Sequence, residues 1–363
     1  AQDNNSTVDQ IGNAHDATVN QNGNTNQSEI TQDQGFNYDL EKGSKADVDQ
    51  DGRTNTSLIN SWGWNHEVYV TQDGKENSSA IEQSGGQNDA YLDQIGNKNG
   101  LRGRSEGSSA YQKAGDPFGG DKNYFDVDQI GNENAVGMWQ EHSAEAIVNQ
   151  NGNKNVSEIY QSGPEYGPNN IADVQIFGNK NMTKIYQDGD GNNADMNVGH
   201  TNYVSENNDV SMKQVGNGNQ ATFGLQHGDE NMVDIDQNGN NNYTDYSIEY
   251  GNKNEATYDI DGDANRSQFY VDADWTNWSN GNTLSLTQDG YKNYATGVIK
   301  GDGNTVTMIQ EGEKNLIGSD WYTSDGVNIH GSNNTVDIGQ YSNGNKSLNT
   351  ITGNGNTINV TQQ

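Results

Sequence analysis

Apolar and polar residues alternate one by one along this chain, over short stretches set apart by turn residues. After Asn231 come Val233, Ile235 and Gln237. After Asn304 come Val306, Met308 and Gln310, and after Asn88 come Ala90, Leu92 and Gln94. The residues between are mostly Asp, Glu, Thr, Lys, Asn or Tyr, which suit water. Such period-two alternation predicts a strand with one buried face.

Each stretch ends in a recurring phrase. Glutamine returns at a step of 11: at Gln10, Gln21 and Gln32, at Gln72, Gln83 and Gln94, and in the pairs Gln129/Gln140, Gln150/Gln161 and Gln226/Gln237. Gln187, Gln214, Gln288, Gln310, Gln340 and Gln362 close the same kind of stretch. Glycine stands two residues later and asparagine three beyond it, as in Gly23–Asn26, Gly74–Asn77, Gly85–Asn88, Gly96–Asn99, Gly131–Asn134, Gly152–Asn155, Gly239–Asn242, Gly290–Asn293 and Gly312–Asn315. The unit is Gln-x-Gly-x-x-Asn followed by x-h-x-h-x-Gln, where h is apolar or small. Glycine supplies the positive φ of a sharp arc. Asparagine tolerates left-handed backbone and bonds the amides of its own turn.

A repeat of this kind predicts an all-β protein, a β-solenoid of stacked strand-arc-strand-arc rungs built from two parallel in-register β-sheets. Late in the chain the glutamine place alternates as Gln288, Ile299, Gln310, Ile329, Gln340, Ile351, Gln362. Odd and even units therefore belong to separate columns, which sets about 22 residues per rung. The chain holds about 31 arcs, or roughly 15–16 rungs, which at about 4.8 Å each would stack to about 75 Å. Residues 1–363 are expected to form a single solenoid with loop insertions near 105–124, 162–170, 272–281 and 316–328. Pro117, Pro164 and Pro168 fall in those connections, as a sheet of ladder hydrogen bonds requires. Trp275 and Trp278 lie in one insertion, and Trp62 and Trp64 are assigned to another irregular arc.

Composition alone would mislead. Hydrophobic residues are 29% of the 363, and Gly contributes 45. So little apolar surface reads as disorder unless repetition supplies the order. Stacking resolves the conflict: glutamine and asparagine amides in register bond the amide above and the amide below. The core can then be thin, made of Val, Ile, Ala, Ser and Met.

Charge and motifs narrow the function. The net charge of −32 repels phosphates, so no nucleic-acid partner is expected. No apolar run approaches the length of a membrane span. Cysteine is absent, which removes disulfides and thiolate metal sites. Asp188–Asn193 and Asp259–Ala264 look superficially like calcium loops, but their sixth positions, Asn193 and Ala264, are not the glycine such a loop needs. The six histidines, His15, His66, His142, His200, His227 and His330, show no ligand spacing. No nucleophile motif is present, so neither an enzyme nor a cofactor is expected. Outward Tyr91, Tyr160 and Tyr186 suit a wet strand face.

At this point the residues resemble a known family. The curlin repeat, of the major subunit of bacterial curli fibres, runs Ser-x5-Gln-x-Gly-x-Gly-Asn-x-Ala-x3-Gln. Its Gly-x-Gly-Asn stands here at Gly216–Asn219, Gly301–Asn304 and Gly353–Asn356. The leading Ser is usually Asn, as in Asn231-x5-Gln237, and the second Gly is often replaced, as by Thr25, Lys98 and Lys154. The likeness runs from Asn4 to Gln362 and is similar to a long, many-repeat homologue. It implies secretion through an outer-membrane pore, assembly on a nucleator subunit, and an extracellular functional amyloid of the biofilm matrix, with the signal peptide already removed.

The ends are read the same way. The first strand, with Ser6, Val8 and Gln10, and the last, with Ile358, Val360 and Gln362, carry the ordinary repeat rather than a polar cap. Both are expected to offer open strand edges to another copy, giving a head-to-tail homopolymer. The alternative is a monomeric β-solenoid adhesin or ice-binding protein, for which ranks of Thr-x-Thr would be needed. Thr305-Val306-Thr307 shows that spacing.

Overall fold

A computed structural model describes residues 3–34, 43–103, 109–114, 122–164, 167–273, 276–318 and 326–363. Strands and tight turns account for them, and no helix occurs among the described residues. The chain divides into two compact units, residues 1–176 with 185–191, and residues 177–184 with 192–363.

In the first unit, successive strands alternate between two parallel sheets. One sheet stacks Asn5–Ile11, Gln27–Asp33, Thr56–Trp64 and Ser78–Gly86. It continues through Gly100–Arg102 and Ala110–Lys113 to Ala135–Glu141 and Val156–Ser162. The other stacks Asp16–Asn24, Lys45–Arg53, Glu67–Lys75, Asp89–Asn97, Tyr124–Asn132 and Ala144–Asn153. Register is strict: Gln50 lies on Gln72, Gly52 on Gly74, and Gln72 on Gln94.

The second unit repeats the plan. One sheet stacks Asp209–Val215, Met232–Asn238, Glu255–Asp263, Thr283–Tyr291, Thr305–Glu313, Thr335–Gln340 and Thr357–Gln362. The other stacks Asn193–Val198, Gln220–His227, Tyr243–Tyr250, Arg266–Val271 and Tyr294–Lys300, then the split rungs Leu316–Ile317 with Val327–His330 and Lys346–Ser347 with Asn349–Thr352. Gln288, Gln310, Gln340 and Gln362 share one column, and Ile299, Ile329 and Ile351 share the other, as the alternation predicts. Both units are all-β stacks of parallel in-register strands, the rung architecture of a β-solenoid.

Alternation does decide burial. In Met232–Asn238, Val233, Ile235 and Gln237 are buried while Met232 is 49% exposed. The core also holds Phe125, Phe223, Tyr246, Tyr258, Phe269 and Tyr294, larger than the small aliphatics expected.

The corners explain the glycines and correct the reading of asparagine. Gly74 has φ 126°, and a Cβ there would overlap the Gly96 carbonyl oxygen of the next rung. The left-handed residue of the arc, however, is the one before the asparagine: Glu76 (φ 62°), Lys98 (58°), Glu133 (59°) and Lys154 (60°). Gly218, Gly303 and Gly355 occupy that place at φ 65–68°. Asparagine is needed for its amide rather than for its backbone.

Other expectations are corrected. Trp62 and Trp64 are not in an irregular arc; both lie on the strand Thr56–Trp64, in register with Ser84 and Gly86. The stretch 105–124 is not wholly an insertion, because Ala110–Lys113 is a rung strand. Likewise Leu316–Ile317 and Val327–His330 are strands inside or beside the stretch 316–328. Pro164 and Pro168 lie between the strands Val156–Ser162 and Asn170–Asn179. Pro117 and Trp275 lie outside the described residues.

Candidate self-assembly surface

The repeated glutamines converge into ladders. In the first unit Nε2 of each donates to Oε1 of the next rung along Gln21, Gln50, Gln72, Gln94, Gln129 and Gln150, at 2.8–3.0 Å. The facing sheet links Gln10 to Gln32 at 2.8 Å, and Gln83, Gln112, Gln140, Gln161 and Gln187 at 2.9–3.0 Å. In the second unit Gln214 donates to Gln237, and Gln288, Gln310, Gln340 and Gln362 run on at 2.7–3.0 Å. Beyond Gln10, the second N–H of the amide goes to a backbone carbonyl, as from Gln72 to Thr56 at 3.0 Å and from Gln310 to Tyr294 at 3.0 Å. Donation always points toward the later rung, so the ladder has a direction. Burial without this pairing would cost each amide its hydration.

Gln226 does not belong. It is exposed, and Leu225 takes the inward place in register with Ile248. A one-residue slip moves a strand residue to the other face. Gln50 and Gln112 are ladder members that the step of 11 misses. Gln50 carries the full phrase with Gly52 and Asn55 but stands 29 residues after Gln21. Gln112 has no glycine two places on, so the phrase offers no sign of it.

Two rungs interrupt a ladder. Ser61 replaces glutamine and donates its hydroxyl to Gln83 Oε1 at 3.1 Å. Ile260 replaces it between Gln237 and Gln288. Gln237 then turns to Thr244 Oγ1 at 3.0 Å, and the buried Gln288 Oε1 is left without a partner.

The arc asparagines form a second ladder. Asn55 Oδ1 accepts the Asn77 backbone N–H at 3.0 Å, and Asn77 Oδ1 accepts that of Asn99 at 3.0 Å. Asn77 Nδ2 donates to the Asp73 carbonyl at 3.2 Å and to the Gly96 carbonyl of the next rung at 3.0 Å. The same pattern holds Asn134 to Gly152, Asn242 to Gly262 and Asn293 to Gly312. On one corner histidine imitates asparagine. His66 Nδ1 accepts the Asn88 N–H at 3.3 Å, and its Nε2 lies 3.2 Å from the Trp62 carbonyl, which requires the neutral Nε2–H tautomer. Burial is the main force that lowers the His66 pKa to about 4; the Trp62 carbonyl opposes it and His15 adds to it.

Acids line the outer faces. Asp51 stacks on Asp73, and Asp93 on Asp128. Burial first, then neighbouring carboxylates, raises the pKa of both Asp93 and Asp128. Of the residues considered for calcium, Asp259 and Asp261 lie on a strand. Among the described residues no three His, Asp or Glu side chains converge on one point. No helix there is long and apolar enough to cross a membrane.

The strand Asn5–Ile11, carrying Ser6, Val8 and Gln10, is exposed throughout and pairs on one side only, with Gln27–Asp33. The strand Thr357–Gln362, carrying Ile358, Val360 and Gln362, pairs only with Thr335–Gln340. Their outer edges meet no other strand among the described residues.

Residues 228–259 and 280–312 match the family model of the curlin associated repeat, so the chain carries curlin repeats. No curated protein matches it.

Proposed function

We propose that this curlin-repeat chain is a secreted structural subunit, not an enzyme, that polymerises end to end into an extracellular functional amyloid fibre. The fibre would serve adhesion and cohesion in a bacterial biofilm matrix. The observation that carries this reading is the one-way ladder. Where glutamines stack, each accepts from the one before and donates to the one after, so the exposed edge of such a rung is a template for another like it. The edge with Gln10 offers acceptors and the edge with Gln362 offers donors, which makes a second copy of the chain the natural occupant of either. Contact between unlike ends does not close, and it builds a filament.

In this reading residues 1–363 act as one solenoid, with its insertions left at the corners. The glutamine, glycine and asparagine columns are structural. The curlin likeness adds a nucleator subunit and an outer-membrane secretion pore as partners. The net charge of −32 keeps fibres apart sideways and makes growth depend on salt.

The test is growth from purified chain at micromolar concentration. Sigmoidal kinetics abolished by preformed seeds, with a 4.7–4.8 Å cross-β reflection, supports the proposal. A species that stays monomeric for days at high concentration and ignores seeds overturns it in favour of a monomeric adhesin.

A further inference from the structure

The outer faces of the first unit carry tyrosines that the ladders do not use. Tyr69 and Tyr91 are partners in register on adjacent strands. Their ring centroids are 5.0 Å apart and their planes differ by 8°. Tyr160 and Tyr186 repeat the arrangement at 4.8 Å and 7°. All four are half-buried, so part of each ring meets solvent. One face of each ring is covered by its partner. What the stack offers is two phenols held parallel, with like edges side by side.

We propose that the pairs Tyr69–Tyr91 and Tyr160–Tyr186 are sites of oxidative coupling, where adjacent rungs become joined covalently as dityrosine. The oxidant is hydrogen peroxide acting through a haem peroxidase. Each phenol gives up one electron to the oxidant and its hydroxyl proton to a nearby base. The two phenoxyl radicals then form a carbon–carbon bond between positions ortho to the hydroxyls. The hydrogen on each joined carbon leaves, and each oxygen regains a proton. Two phenols lose two hydrogens in all, and one peroxide becomes two waters.

At the first pair the surroundings supply the base. Tyr69 Oη lies 3.4 Å from Glu67 Oε2, within reach of its carboxylate, and accepts a hydrogen bond from Lys45 Nζ at 2.9 Å. Burial, then the acids Asp89 and Glu67, raises the Tyr91 pKa, so that phenol starts protonated and loses electron and proton together. The ring of Tyr124 is worse placed, 5.7 Å from Tyr91 and tilted by 43°. Exposure alone favours other tyrosines, since Tyr203, Tyr291 and Tyr341 are 41%, 39% and 43% exposed.

Dilute, freshly prepared full-length chain is treated with peroxidase and hydrogen peroxide, digested, and mapped by mass spectrometry. The expected products are two intramolecular links, Tyr69–Tyr91 and Tyr160–Tyr186, each two hydrogens lighter than its parent peptides, on a chain that still runs at monomer size. Tyr91→Phe is expected to abolish the first link and leave the yield of the second unchanged. In denaturant the selectivity should vanish. The proposal is overturned if Tyr291 or Tyr341 enters links as often as Tyr69 does. It is equally overturned if the two pairs stay unlinked, or if they link equally well in the denatured chain. None of these outcomes depends on fibre growth.

Discussion

Leucine in place of Gln72 measures what a ladder amide contributes. Gln72 Oε1 accepts from Gln50 at 2.8 Å, and its Nε2 donates to Gln94 at 2.8 Å and to the Thr56 carbonyl at 3.0 Å. The substitution orphans a donor on Gln50 and acceptors on Gln94 and Thr56. At about 1–1.5 kcal/mol per orphaned group the loss is about 3–4.5 kcal/mol. Burying the leucine side chain offsets about 2 kcal/mol of it. Gln32, facing Ser61, uses the Ser44 carbonyl at 2.9 Å, whereas two other buried glutamines with no glutamine to donate to use a hydroxyl seven residues on: Gln150 donates to Ser157 Oγ at 2.9 Å and Gln237 to Thr244 Oγ1 at 3.0 Å. Ser57 stands in that relation to Gln50, and its buried hydroxyl has no partner. It is a reserve acceptor. With it engaged the Gln50 donor is no longer orphaned, and Gln72→Leu should cost only about 0–1 kcal/mol.

A double-mutant cycle separates the terms. Ser57→Ala alone removes an unpartnered hydroxyl and should leave stability unchanged or slightly higher. Added to Gln72→Leu, it should cost about 1 kcal/mol more, a coupling well inside what neighbouring residues show. Urea unfolding of dilute chain before fibres form gives all four corners. Gln226→Leu, off the ladder and exposed, is the control and should stay within about 0.5 kcal/mol. Equal effects of Ser57→Ala in both backgrounds would refute the reserve role. A Gln72→Leu/Ser57→Ala double variant no worse than the control would show that ladder bonds add no net stability.

Ile235→Pro should cost about 3 kcal/mol or more, because it breaks a ladder on both sides of a buried strand; loss of seeded growth and of the unfolding transition reads it. Thr54→Gly should raise stability by about 1 kcal/mol, since a β-branched residue is held at φ 60°; a higher urea midpoint is the check. His66 has a folded pKa of about 4 against 6.5 when free, so the unfolded chain binds the proton first and stability falls as pH drops from 6.5 to 4. Fully developed, that loss is about 3 kcal/mol. His66→Asn, the residue the column uses at Asn88, should flatten the urea midpoint across that window, and an unchanged pH slope would show that another group is responsible.

Legibility followed the strength of the local signal. Where an eleven-residue step repeated without insertion, as at Gln72, Gln83 and Gln94, the inward face and the arc could both be read directly. Gln112 escaped because its arc lacks the glycine, and Gln50 because an insertion broke the step. Gln226 misled because a glutamine on the wet face of a strand looks the same in sequence as one on the dry face; only the neighbours Phe223 and Leu225 set the register. The buried aromatics were hidden for another reason. Tyr246 and Tyr258 lie on alternating strands like any other tyrosine, and nothing local states that they face inward, where their rings meet at 5.7 Å.

Insertions reveal what the ladder depends on. Consecutive partners lie 22 residues apart from Gln50 to Gln72, 35 from Gln94 to Gln129, 21 from Gln129 to Gln150 and 30 from Gln310 to Gln340, yet every one of these bonds is 2.8–3.0 Å. Chain length between rungs is therefore free, and height along the stack is not. Extra residues leave at a corner and return to the same level, because the cost of a longer loop grows only with the logarithm of its length. An amide out of register forfeits its bonds at once. Specificity in such a stack resides in the vertical match of like side chains. A second copy arriving at an open edge would meet the same requirement that each rung meets from the one before it.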